Sequence, residues 1–233
     1  MTGLPRLAVL GLDVASAAAT ISLVDGGLEV TTFACGPIPS DARAALAAYG
    51  CEDRLVGVAT DTLRLATADP ATPPFAIHGV RTDPPTDPGP DPTPADTAAD
   101  DLLGIFDAVV LTGHTERLLP VRTGSPRFGG VFDRRVVWAF HVTDPPELAT
   151  AQGRWIGEYL RGRYALPEPA AMDAATATGR PRRGGAGRAA RAERDRERRA
   201  GHARAAATGY PVPRPPATGP AGVRAEAPTG PES

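Results

Sequence analysis

Asp13 stands at the end of an apolar run, in "LAVLGLDVAS", and small residues follow it at once. A carboxylate in that place either caps the turn that leaves a buried strand or faces the carboxyl edge of a sheet as a functional group. Asp61 repeats the arrangement after "RLVGVAT", where bonding to local backbone amides is the competing role. Asp144 precedes two prolines and a helical pattern, with Glu147 one turn further on; it reads as a helix cap or as a further carboxylate. His114 and Glu116 follow a third apolar run, "DAVVLTG", in the kind of loop where open sheets carry function. A carboxylate beside a histidine favours the protonated ring and suits it to general acid–base catalysis. His141 falls on the polar side of an alternating pattern and reads as a surface residue. Ser16 lacks the Gly-x-Ser-x-Gly elbow of a hydrolase nucleophile, and Cys35 reads as a buried structural thiol.

Composition removes some classes of chemistry. The 233 residues include no lysine, no asparagine and a single glutamine, Gln152. A Schiff-base lysine and the lysine of a phosphate-binding P-loop are thereby excluded. Cys35 and Cys51 are too few for a disulfide framework or a zinc site and indicate a reducing compartment. The first residues lack a signal-peptide pattern, and no apolar run reaches the ~18 residues of a membrane helix. A cytoplasmic protein without membrane contact is expected.

The formal net charge of -2 hides an asymmetry. Residues 1–166 carry 13 Arg against 20 Asp and Glu, whereas residues 180–204 carry 10 Arg against Glu193, Asp195 and Glu197. Large aliphatic residues nearly vanish after Pro167. The expected organisation is one α/β domain over 1–166, with a Pro/Asp-rich loop at 69–97, and a disordered Ala/Gly/Pro/Arg-rich tail over 167–233. Arg182, Arg183, Arg188, Arg191, Arg198 and Arg199 are the tail's candidate contacts to a phosphate backbone. Docking of the basic tail on the acidic body is the alternative. "RAERDRERR" has the charge alternation of a salt-bridged helix, and no aromatics interleave it for base stacking.

The elements that would position the carboxylates follow from periodicity. Residues 7–14 form a continuous apolar run that fits a strand buried on both faces. Residues 19–25 read as a second strand, Asp25-Gly26 as a hairpin turn, and residues 28–34 as the returning third strand. A short helix over 41–49 ends at Gly50, and a fourth strand leads to Asp61. "FAIHGV" reads as a short strand inside the Pro/Asp-rich loop, "ADTAADDLLGIF" as a helix and "DAVVLTG" as a buried strand. "GVFDRRVVWAFHV" alternates as a half-buried strand. Residues from Thr143 onward form the clearest helix, with Leu148, Trp155, Ile156, Tyr159 and Leu160 on one stripe. The sum is a mixed sheet that opens with a three-stranded antiparallel meander and carries helices on its faces.

This order, with Asp13 on the first strand, resembles the ribonuclease H-like superfamily over about residues 7–160. The resemblance implies that Asp13 and Asp61 hold a metal, with Asp144 or Glu147 as a third ligand. Two Mg²⁺ or Mn²⁺ ions on such a cluster activate water and stabilise the leaving oxygen of a phosphodiester. "GLDVASAAATISLVDGG" with "LVGVATDTL" looks most like a group of predicted nucleases of that superfamily, although Asp61-Thr62-Leu63 lacks their proline. "DAVVLTGHTERLLP" is similar to the adenosine segment of sugar-kinase and actin-like ATPases, but Ala15 stands where their phosphate loop has glycine.

Three functions follow as expectations. The first is a divalent-metal-dependent phosphodiester hydrolase that uses Asp13, Asp61 and His114, with the basic tail guiding nucleic acid. The second is a non-catalytic interaction protein that keeps the fold without the metal site. The third is a degenerate nucleotide-binding relative of the actin and sugar-kinase group.

Overall fold

The computed structural model describes residues 4–59, 61–67, 73–82, 101–119, 127–133, 136–177 and 186–208. The chain is mixed α/β. A six-stranded sheet is ordered β6-β3-β2-β1-β8-β9, and a second sheet is ordered β4-β5-β7. In chain order the strands are β1 (Arg6–Leu10), β2 (Glu29–Cys35), β3 (Leu55–Val58), β4 (Arg64–Ala66), β5 (Phe75–Gly79), β6 (Arg81–Thr82), β7 (Asp101–Phe106), β8 (Ala108–Leu111) and β9 (Ala139–His141). The helices are α1 (Val14–Asp25), α2 (Ser40–Ala48), α3 (Pro146–Leu160), α4 (Pro169–Ala177) and α5 (Ala186–Ala207). No helix among the described residues is long and apolar enough to cross a membrane.

The antiparallel meander expected at the start is replaced by a β-α-β crossover. Residues 14–25 are helical, and β1 pairs in parallel with β2 on one side and β8 on the other. The local chemistry favours helix. Asp13 accepts the backbone N–H of Ser16, while the Ser16 hydroxyl oxygen accepts the N–H of Asp13, a reciprocal capping box. Four alanines at 15 and 17–19 then add the strongest helix former. The Asp25-Gly26 pair ends this helix and does not turn a hairpin. Gly27 sits at φ 79°, and the Leu28 amide reaches back to the Leu23 carbonyl.

Residues 101–106, expected as part of a helix, form β7 instead. The strand pairs antiparallel with β5 around an irregularity at Ile77/His78. Gly104 disfavours a helix, and Ile105 and Phe106 favour a strand. "FAIHG" is a strand as expected. The rest of the predicted Pro/Asp-rich loop, at 69–72 and 83–97, lies outside the described residues.

Alternation along β2 separates two layers. The Thr32 hydroxyl lies 3.0 Å from that of Thr20, so Thr32 faces α1. Its neighbour Phe33 must point to the opposite face, and there it meets Phe106 of β7 edge-on at 5.5 Å. Helices therefore cover one face, and the smaller sheet covers the other. β1 between them is fully apolar and buried from Leu7 to Leu10.

The segment expected as a disordered tail contains α4 and α5. Met172 of α4 and Ala205 of α5 are buried. Gly201 of α5 sits on the Tyr164 ring, which a Cβ at that position would approach to 2.0 Å. The Tyr164 hydroxyl donates to Glu197 at 3.0 Å, and the Ala165 amide donates to the Gly201 carbonyl at 3.1 Å. "RAERDRERR" is helical as its charge pattern suggests. Residues 178–185 and 209–233 lie outside the described residues.

Helix α3 approaches α1 closely at Gly153, where a Cβ would lie 2.9 Å from the Ala19 carbonyl oxygen. Backbone on both sides leaves little room to adjust. Gly153→Val is predicted to cost about 1–3 kcal/mol through overpacking. Urea unfolding should show a lower midpoint at an unchanged m-value; a wild-type midpoint would contradict this packing.

Candidate functional site

Parallel β1, β2, β3, β8 and β9 point their carboxyl ends to one edge of the sheet. Strand order reverses at β1, because its two neighbours follow it in opposite directions. Open α/β sheets bind ligands outside the carboxyl ends near such a switch.

That edge is organised by the 3₁₀ helix Gly113–Leu118, which follows β8. Thr112 precedes its first residue and caps it: the Thr112 amide donates to Thr115 Oγ1 at 3.0 Å. Thr115 Oγ1 in turn lies 3.0 Å from the Leu10 carbonyl at the end of β1 and 2.9 Å from the Thr112 carbonyl. Both threonines are buried. The short helix is thus pinned over the central strand, and its next two residues diverge to opposite sides.

Glu116 turns to a buried network. Its carboxylate takes two hydrogen bonds from Arg127, at 2.7 and 2.6 Å, and one of its oxygens lies 3.3 Å from His141 Nδ1. The His141 side chain is fully buried, and neither ring nitrogen has a hydrogen-bond partner. Burial, helped by the positive charge of Arg127, pushes the His141 pKa down to about 4. At neutral pH the ring is therefore uncharged, and its contact with Glu116 is not an ion pair. Burial alone would raise the Glu116 pKa, but the bonds and charge of Arg127 outweigh it and hold the carboxyl below the ordinary range.

Arg117 turns the other way, 3.5 Å from the Asp61 carboxylate, with both side chains largely in solvent. It borders a pocket of about 120 Å³ lined by Cys35, Asp61, Arg64, Thr115 and Arg117. Arg64 donates to the carbonyls of Asp61 and Leu63, which holds its stem against the turn. Burial pushes the Cys35 thiol pKa up, Arg117 draws it partly back, and Asp61 adds to the rise. Cys35 is accordingly a thiol and not a thiolate nucleophile.

The expected site residues divide. Asp13 is the N-cap of α1, so of its two readings the turn cap is the one its hydrogen bonds satisfy. Asp61 lies in a turn after β3 at φ 65°, a conformation aspartate tolerates better than most residues, and its carboxylate is 80% exposed. Asp144 is exposed and does not cap α3, whose N-cap is Pro145 without a side-chain bond. His114 lies in the 3₁₀ helix. Among the described residues, no three His, Cys, Asp or Glu side chains are grouped as they would be around a metal ion. Arg198 and Arg199 are exposed on α5, and Arg188 and Arg191 belong to the same helix. Arg182 and Arg183 lie outside the described residues.

His141 is the main correction. Strand β9 is only three residues long and buried throughout, so alternation cannot apply to it. Residues 127–133 fold over it through bridges Phe128–Phe132 and Phe132–Phe140, which no short-range pattern shows. The pair Arg64 and Arg117 was equally hidden, because the turn after β3 and the helix after β8 meet only in three dimensions. No protein-family model matches the chain, and no curated protein matches its sequence.

The neutral His141 has a thermodynamic signature. The unfolded chain takes up a proton near the ordinary value of 6.5, whereas the folded chain does so near about 4. Stability is therefore predicted to be fully present above that range and to fall as pH drops through it. His141→Phe should flatten this part of the curve. Urea unfolding of both proteins across the window checks it, and identical slopes would refute the assignment.

Proposed function

We propose that the chain binds the phosphate group of a small nucleotide-class ligand at the carboxyl edge of the six-stranded sheet. One observation carries this reading: Arg64 and Arg117 border the same pocket there, on a body whose net charge is otherwise strongly negative. A guanidinium is the side chain best matched to a phosphate, through paired N–H donors. The pocket's 120 Å³ suits a phosphoryl group, with the remainder of the ligand lying outside it. Asp61 counters part of the positive charge and acts as the group a phosphate displaces from Arg117.

This reading is preferred to phosphodiester hydrolysis on Mg²⁺ or Mn²⁺ because Asp13 is bonded to the first turn of α1 and the guanidinium of Arg117 already stands beside Asp61. Nucleic-acid contact through Arg198 and Arg199 is compatible with either reading, since both arginines are exposed.

Thermal unfolding of the full chain with ATP, AMP or inorganic phosphate tests the proposal. Ligand present at a hundred times its Kd should stabilise the fold by about 2.7 kcal/mol. The gain should vanish in Arg64→Ala/Arg117→Ala. It should persist in Asp13→Ala, which loses only about 1 kcal/mol of capping stability. No gain with any of the three, or an equal gain in the double variant, would overturn the reading. Mn²⁺ binding that is lost in Asp13→Ala would return the metal-dependent hydrolase to first place.

A further inference from the structure

A larger cavity, about 360 Å³, opens at the opposite edge of the sheet, where the amino ends of β1, β2 and β3 meet β6 and β7. Its volume lies within the range of small-molecule sites, roughly 300–1,000 Å³. The lining is mostly polar: Arg6, Arg54 and Arg81 supply positive charge, and Val56, Leu103 and Phe106 supply a smaller apolar part. Arg6 is already engaged: its Nε lies 3.2 Å from Glu29, and its guanidinium stands 5.4 Å from the centre of the Phe106 ring. Among the described residues, no carboxylate pairs with Arg54 or Arg81. Among the described residues these two guanidiniums stand free of carboxylate partners beside Val56 and Leu103, and together they suit an anion that carries a short apolar body.

The charge count narrows the class. With Glu29 and Asp53 also in the lining, the three arginines leave one net positive charge. An inorganic phosphate would leave Val56 and Leu103 without contact. We infer that this cavity binds a small monocarboxylate with a short apolar chain, its carboxylate between Arg54 and Arg81 and its chain against Val56 and Leu103. The site lies away from the pocket of Arg64 and Arg117, so the inference does not rest on nucleotide binding.

Titration of the full chain, followed by calorimetry and by amide chemical shifts, uses three probes. These are 4-methylpentanoate, leucine (the same chain with an added ammonium) and inorganic phosphate. The expected result is saturable binding of 4-methylpentanoate, with shifts at the amides of residues 54–56 and 103–106. Loss of two charge-assisted contacts should weaken that binding at least tenfold in Arg54→Ala/Arg81→Ala. Binding should be unchanged in Arg64→Ala/Arg117→Ala. Absence of saturable binding, or equal affinity in the Arg54/Arg81 variant, would overturn the site. Phosphate bound as well as the carboxylate would remove the apolar half of the assignment. Leucine bound more tightly than its deaminated analogue would replace the monocarboxylate with a zwitterion held partly by Asp53. Circular dichroism of the double variant separates lost binding from lost folding.

Discussion

A parallel pair of strands cannot be closed by a tight turn. Because β1 and β2 run parallel, the chain between them must climb from the carboxyl end of one to the amino end of the other. The helix α1 is the solution to that constraint, and much else follows from it. It places Asp13 at the carboxyl edge as a cap and brings Thr20 over Thr32. It also presents a small-residue surface on which Gly153 lets α3 approach closely. The same pairing buries β1 on both faces, which explains a run of four residues with no exposed side chain.

The carboxyl edge is divided by one short helix. Its threonines are spent on the backbone of β1, and Glu116 and Arg117 carry charge away from it to two sides. These neighbours create two unlike environments. On one side a carboxylate and a guanidinium, both largely shielded from water, stand against a fully buried neutral imidazole. On the other an arginine and an aspartate stay hydrated and exchangeable. Ion pairs of the second kind contribute little to stability, and for that reason a ligand can replace one at small cost. The first kind is costly to disturb, because breaking it leaves a buried charge alone.

The sequence made some of this legible. Continuous apolar runs located β1 and β8, and the stripe through Trp155 and Ile156 located α3. The first helix reads as a strand because its apolar residues resemble one, while the signals for helix are the Asp13–Ser16 spacing and the alanines. β7 was misread because its partner β5 supplies the hydrogen bonds that decide its state. At the site, Asp13 and Asp61 were found for their positions at strand ends, and those positions are real enough. The Asp13–Ser16 spacing is local and legible, but the Arg117 partner of Asp61 is not, since it comes from the short helix after β8. His141 was lost for a different reason: its burial comes from a fold-back of residues 127–133 that leaves no periodic trace.

The change in composition near Pro167 is not an edge of the fold. Beyond it, Glu197 takes the Tyr164 hydroxyl, Arg204 takes the Ala165 carbonyl, and His202 Nδ1 lies 2.7 Å from the Arg163 carbonyl. The last turn after α3 therefore has its polar groups satisfied by a helix more than thirty residues away in sequence. A chain cut where the aliphatic residues stop would hand those groups to water and strip one side of the Tyr164 ring. An alanine- and arginine-rich segment of low hydropathy thus serves as a lid on the aromatic core, and its glycine at 201 is the point where the lid fits.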